Sequence, residues 1–130
     1  MCIRDRTLVI TGGGYDACED SDSGTVGGKN HNCTSTGTKG NKVYVLDGAT
    51  GSIVKTFDTT RAVVADVTLV RDSTGKTLHG YTADLGGNVY RLAFGNGAPA
   101  SWSITKIASL GCATPSACTC LLYTSDAADE

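Results

Sequence analysis

The stretches NKVYVLDGATG, beginning at Asn41, and GNVYRLAFGNG, beginning at Gly87, share one form. Each reads Asn-(x)-Val-Tyr-x-Leu and reaches a glycine turn a few residues later, with Val43 and Val89 46 positions apart. A repeat of roughly 40–50 residues holding about four short strands suits a β-propeller, whose blades each bury a face only by stacking on neighbours. Alternation of period two recurs along the chain and helical periodicity is nearly absent. Seventeen glycines against two prolines supply tight turns without interrupting strands. The expected fold is all-β, a partial β-propeller of about two incomplete blades of antiparallel strands. A β-sandwich with chance similarity between the two stretches is the alternative.

A first strand, Thr7–Thr11, runs into Gly12-Gly13-Gly14, and the stretch Tyr15–Gly40 is too polar to pack, so it reads as a long loop. In NKVYVLDGATGSIVKTFD, Val43 and Val45 point one way and Tyr44 and Leu46 the other, which reads as a strand buried on both faces. DGATG turns the chain and Ile53–Phe57 returns antiparallel, giving a hairpin. A strand over Val63–Val70 ends at RDSTGK, LHGYTADLGG and NVYRLAFGNG form strand, turn and strand, and SWSITKIASL alternates to close the series. The expected core is Val43, Val45, Leu46, Ile53, Val67, Leu69, Val89 and Leu92.

The two ends read differently from the rest. Met1–Arg6 can be encoded as ATG TGT ATA AGA GAC AG, and the reverse complement of that element reads through Cys120–Ser125. One DNA element read on opposite strands therefore accounts for both ends, and it resembles a transposon adapter used to fragment DNA for sequencing. Residues 1–6 and 120–130 are expected to be adapter-derived tails flanking a native segment, 7–119. The formal charge of -2 then comes from the tails, since the segment between them carries nine acids and nine bases. That neutrality argues against a nucleic-acid surface. No apolar run approaches the roughly 20 residues of a membrane helix.

Without Cys2 and Cys120, four cysteines remain, in two local pairs, Cys18/Cys33 and Cys112/Cys118. Neither has CxxC spacing, which disfavours zinc or thiol chemistry. Four cysteines allow three connectivities, and the two local pairings are the cheapest to close. Bridging Cys18 to Cys33 would contribute about 3 kcal/mol in the chain-entropy model. Disulfides imply an oxidising compartment, in a bacterium the periplasm or cell surface. The sequon Asn32-Cys33-Thr34 reads as accidental.

Three segments in order, VITGGGYDACED, KGNKVYVLDGATGSIVKTFD and VVADVTLVRD…GYTADLGGNVYRLAF, resemble the C-terminal β-propeller of type IV pilus assembly and tip-adhesin proteins, the PilC/PilY family. The resemblance covers most of Val9–Phe94. It implies a secreted, non-enzymatic protein that promotes pilus extension and attachment, with pilus components or a surface receptor as partner. Some members hold calcium in a loop of the form Asp-x-Asp-x-Asp-Gly-x-x-Asp. Here the corresponding turn is RDSTGKTLHG, where Asp72 and Gly75 match and Ser73 or Thr74 offer oxygens, but Leu78 or His79 stands where the last carboxylate is expected. Calcium takes about six to eight oxygens, so any binding there is expected to be weak.

A second acidic cluster, Asp16, Glu19, Asp20 and Asp22, has cation-binding residue types but not the spacing of an EF-hand loop; capping of turns is the expected role. His31 and His79 read as exposed polar residues, not ligands. The expected contact surface is the Tyr15–Gly40 loop, with Tyr15, Asp16, Lys29, His31 and Lys39 as its binding residues. The competing class is a quinone-cofactor dehydrogenase built from similar blades. Such blades often carry a docking tryptophan after the turn, where this chain has Phe57, and no Ser/His/Asp, Cys/His or phosphate-loop constellation is visible. No cofactor beyond weak calcium is expected.

Overall fold

The computed structural model describes residues 7–16, 39–95 and 97–111. Its strands are β1 (Leu8–Gly12), β2 (Lys42–Asp47), β3 (Ile53–Asp58), β4 (Thr68–Arg71), β5 (Thr77–Ala83), β6 (Asn88–Ala93) and β7 (Ser103–Ser109). They form two antiparallel meanders, a three-stranded sheet ordered β1-β2-β3 and a four-stranded sheet ordered β4-β5-β6-β7, neither of which closes on itself. The all-β expectation holds in this form.

Alternation along each strand decides which side chains meet. In the first sheet Gly12, Val43 and Phe57 lie abreast, as do Ile10, Val45 and Lys55. In the second, Leu69, Gly80, Leu92 and Ile104 form one cross-strand row. These faces enclose a common core of Val43, Val45, Phe57, Val63, Leu92 and Phe94, bordered by Leu8, Ile10, Val54, Val67, Leu69, Trp102 and Ile104. Phe57 meets Phe94 edge-on at 6.5 Å between ring centroids, and Phe94 meets Trp102 the same way at 5.2 Å. The aromatic at position 57 is therefore a core residue.

The two similar stretches lie on β2 and β6, and their burial runs in opposite phase. Val43 and Val45 are buried while Tyr44 and Leu46 are half-buried; Tyr90 and Leu92 are buried while Val89 is half-buried and Arg91 exposed. Corresponding side chains thus point to the shared core from one sheet and away from it in the other. The front of one sheet packs on the back of its sister.

Three expectations need correction. Β2 is fully buried on its Val43/Val45 face only. Ile53 is 63% exposed, because the register shifts between Val45 and Leu46 and pairs Ile53 with Leu46 on the outer face. Leu46, Val67, Leu69 and Val89 are half-buried, whereas Val43, Val45 and Leu92 are buried as expected. The expected strand over Val63–Val70 shortens to Thr68–Arg71. Val63 instead belongs to the connector between sheets: its N–H donates to Gly40 O at 3.0 Å and its carbonyl accepts from Gly14 N at 2.9 Å. The close passage needs a glycine, since a Cβ on Gly12 would come within 2.4 Å of Val63 O.

Candidate functional site

The expected site residues fall at opposite ends of the sheets. Tyr15, Asp16 and Lys39 follow β1 or precede β2, beside the inter-sheet connector, whereas Asp72, Ser73 and Thr74 form the β4–β5 turn at the far end. Tyr15 is 58% exposed and Lys39 is exposed. Asp16 is 3% exposed, and its Oδ2 accepts from Lys39 N at 2.8 Å. It ties the chain leaving β1 to the chain entering β2 and is buried instead of presented to a partner. Cys18, Glu19, Asp20, Asp22, Lys29, His31, Cys33, Cys112 and Cys118 lie outside the described residues, as do residues 1–6 and 120–130, so the expected Cys18–Cys33 and Cys112–Cys118 pairings and the expected tails fall there too. His79 is half-buried within β5, opposite Ala93, instead of exposed at a strand start.

Asp72 spends its carboxylate on its own turn. Oδ1 accepts from Thr74 N at 2.8 Å, Thr74 Oγ1 at 2.6 Å and Lys76 N at 3.0 Å, while Gly75, at φ 87°, donates to Asp72 O. Asp47 and Asp84 do the same work. Asp47 Oδ1 accepts from Ala49 N and Thr50 N before Gly51, and Asp84 Oδ1 accepts from Gly86 N and Asn88 N around Gly87. Each turn pairs an opening aspartate with a left-handed glycine, at φ 76° for Gly51 and 77° for Gly87. Among the described residues, no three His, Cys, Asp or Glu side chains gather as a metal-binding group.

The Thr74 hydroxyl, then the Lys76 amide, hold the Asp72 carboxyl below its ordinary value. A lowered folded value means that ionised Asp72 supports the turn above the ordinary carboxylate range, about pH 3.9, and that support is lost as pH falls through the folded value. An NMR titration of the Asp72 carboxyl carbon is expected to show that low midpoint. Thr74→Ala should raise it towards the ordinary value.

Asp84 builds more than a turn. It is 7% exposed, and its Oδ2 accepts from Arg61 N at 3.0 Å, Tyr90 Oη at 2.9 Å and Asn88 Nδ2 at 3.0 Å. Tyr90 Oη also accepts from Thr60 N at 2.9 Å, Leu85 N donates to Ala62 O, and Ser109 Oγ donates to Asn88 Oδ1. The β5–β6 turn is thereby tied to the connector leaving the first sheet and to the end of β7. Burial, before the Asp84 contact, pushes the Tyr90 phenol up. The stability carried by neutral Tyr90 is therefore full below about pH 10 and is lost as pH rises through its folded value. Tyr90→Phe is expected to cost about 1–3 kcal/mol by leaving partners unsatisfied, and to remove one raised phenolate step from an absorbance titration.

Asp84, Tyr90 and Thr60 carry no expected role in the sequence. The one available signal is the recurrence of Asp three or four residues before a left-handed turn glycine, in DGATG, DSTG and DLGG. Together the described residues define an all-β protein of two stacked antiparallel meanders, braced at one end by buried aspartates. No family model, curated protein or solved structure matches the chain.

Proposed function

We propose that this chain is part of a secreted type IV pilus assembly or tip-adhesion protein of the PilC/PilY kind, a non-enzymatic β-propeller scaffold that presents binding loops. The observation that carries the reading is the front-to-back stacking of two meanders whose corresponding residues, Val43 and Val89 or Tyr44 and Tyr90, face opposite ways. Blades related by rotation about an axis require that phase reversal, because each packs its front on the next one's back. The motif order adds support: VITGGG forms β1 and its exit, KVYVLD forms β2, and TADLGGNVYR forms the end of β5, the Asp84 turn and β6. In this reading the connection after Tyr15 is the recognition loop, and Asp16 and Asp84 keep its base rigid.

Binding of the chain to sheared, purified type IV pili on a sensor surface tests the function. Saturable binding weakened by Tyr15→Ala is the expected result. Absence of binding, or turnover of a primary alcohol with an added quinone cofactor, would overturn it. Calcium affinity at the Asp72 turn should be millimolar or weaker, because one carboxylate already engaged by its own turn leaves most of the ion's charge uncompensated. Calorimetry with Asp72→Ala as control measures this.

A further inference from the structure

We infer that the outer edge of β1, unpaired among the described residues, is a docking seat for one more antiparallel strand of the β4 type, supplied by a further repeat unit of the same kind. The inference rests on the repeat reading above. Register aligns the two sheets residue by residue: Leu8, Val9, Ile10, Thr11 and Gly12 pair with Asp47 to Val43 as His79, Gly80, Tyr81, Thr82 and Ala83 pair with Ala93 to Val89. Β1 is thus the counterpart of β5. On its other side β5 carries β4, whereas among the described residues no strand pairs with the other side of β1.

The backbone on that side is arranged to receive one. Gly13 N donates to Lys42 O and Gly48 N donates to Thr7 O, so odd-numbered residues of β1 bond towards β2. By alternation, the N–H and C=O groups of Leu8, Ile10 and Gly12 face the open edge. Gly14, next in that row, already donates outward to Val63 O. Beside the edge lies a groove of ≈ 220 Å³ lined by Ile10, Gly12, Val63, Val64, Ala65 and Val67 among others. Ile10 and Val67 also border the core, so a strand seated there extends the inter-sheet packing. In the sister sheet Thr68 pairs with Tyr81, Leu69 with Gly80 and Val70 with His79. The same register sets the Thr and Val equivalents opposite Ile10 and Leu8, over the groove. The Leu equivalent then lies opposite Val9, beside Leu46 and Ile53 on the outer face, where Val9 is 47% exposed. The edge has no lysine, proline or bulge to repel a partner.

A synthetic peptide copying Val67–Asp72 is the probe, and amide exchange is the readout. At saturating peptide, exchange at Leu8 and Ile10, the residues set opposite the Val and Thr equivalents, is expected to slow about tenfold or more, with little change at Val9 and Thr11. Ile10→Pro removes an outward donor without breaking the β1–β2 ladder, and Ala65→Arg fills the groove from an exposed position. Both should abolish the protection while the near-ultraviolet signal of Trp102 is kept. Unchanged exchange at Leu8 and Ile10, or peptide protection at Leu8 that survives both variants, would overturn the docking. Protection that grows with protein concentration in the absence of peptide would overturn it too, by giving the edge to a second copy. The Phe57–Phe94 contact, read from the same samples, separates the two claims: docking that fails while the contact persists leaves the repeat reading standing, and loss of the contact removes both.

Discussion

Asp84→Ala is expected to destabilise the protein by about 4 kcal/mol, more than any other single turn substitution. The reason is the number of buried donors that would lose their acceptor at once. Arg61 N, Gly86 N, Asn88 N, Asn88 Nδ2 and Tyr90 Oη all converge on this carboxylate, which is 7% exposed. A buried donor left unsatisfied costs about 1–3 kcal/mol, and breaking a connected network is one of the few routes to a very large mutational effect. Relaxation and water entry keep the total below the sum. Asp84→Asn keeps one carbonyl oxygen, so its cost should fall between wild type and alanine. Denaturant unfolding with an unchanged m-value would show that the loss lies in the native state.

Leu92→Ala should cost about 2–5 kcal/mol. Leu92 is fully buried where Val43, Val45, Phe57, Val63 and Phe94 meet, so truncation opens a cavity between two sheets that backbone ladders hold apart. Ile53→Ala is the contrast. It removes an equally large aliphatic side chain, but from a position 63% exposed, and its effect should stay within about 0.5 kcal/mol. Leu46→Ala falls between. That order follows from the facing of the sheets and not from hydrophobicity, since all three residues are comparably apolar.

Much of this arrangement is legible in the sequence. Alternation in KVYVLD and the turn residues of DGATG are enough to place the β2–β3 hairpin, because period-two burial and glycine turns are local signals. Val43, Val45 and Leu92 are identifiable as core on the same grounds. Local pattern is silent on the bulge that turns Ile53 outward, since either register satisfies the alternation until the partner strand is known. It also assigns Val63 to a strand, because a buried β-branched residue looks the same whether it bonds to a ladder or to Gly14 and Gly40. Among the site residues, Asp72 has the composition of a metal loop and the hydrogen bonding of a capped turn, and composition cannot separate those. Asp16 is buried by a contact 23 residues away, with Lys39, and Asp84 by one equally distant, with Arg61. Such long-range pairings leave no periodic trace.

The central claim is that the sheets stack front to back, with corresponding residues of the two similar stretches facing opposite ways. Side-chain nuclear Overhauser contacts test it most directly. Contacts from Val43, Val45 and Phe57 to Leu92 and Phe94 are expected, and none from Tyr44 or Leu46 to β6. Contacts from Tyr44 or Leu46 to Tyr90 or Leu92 would put corresponding faces together and contradict the repeat reading.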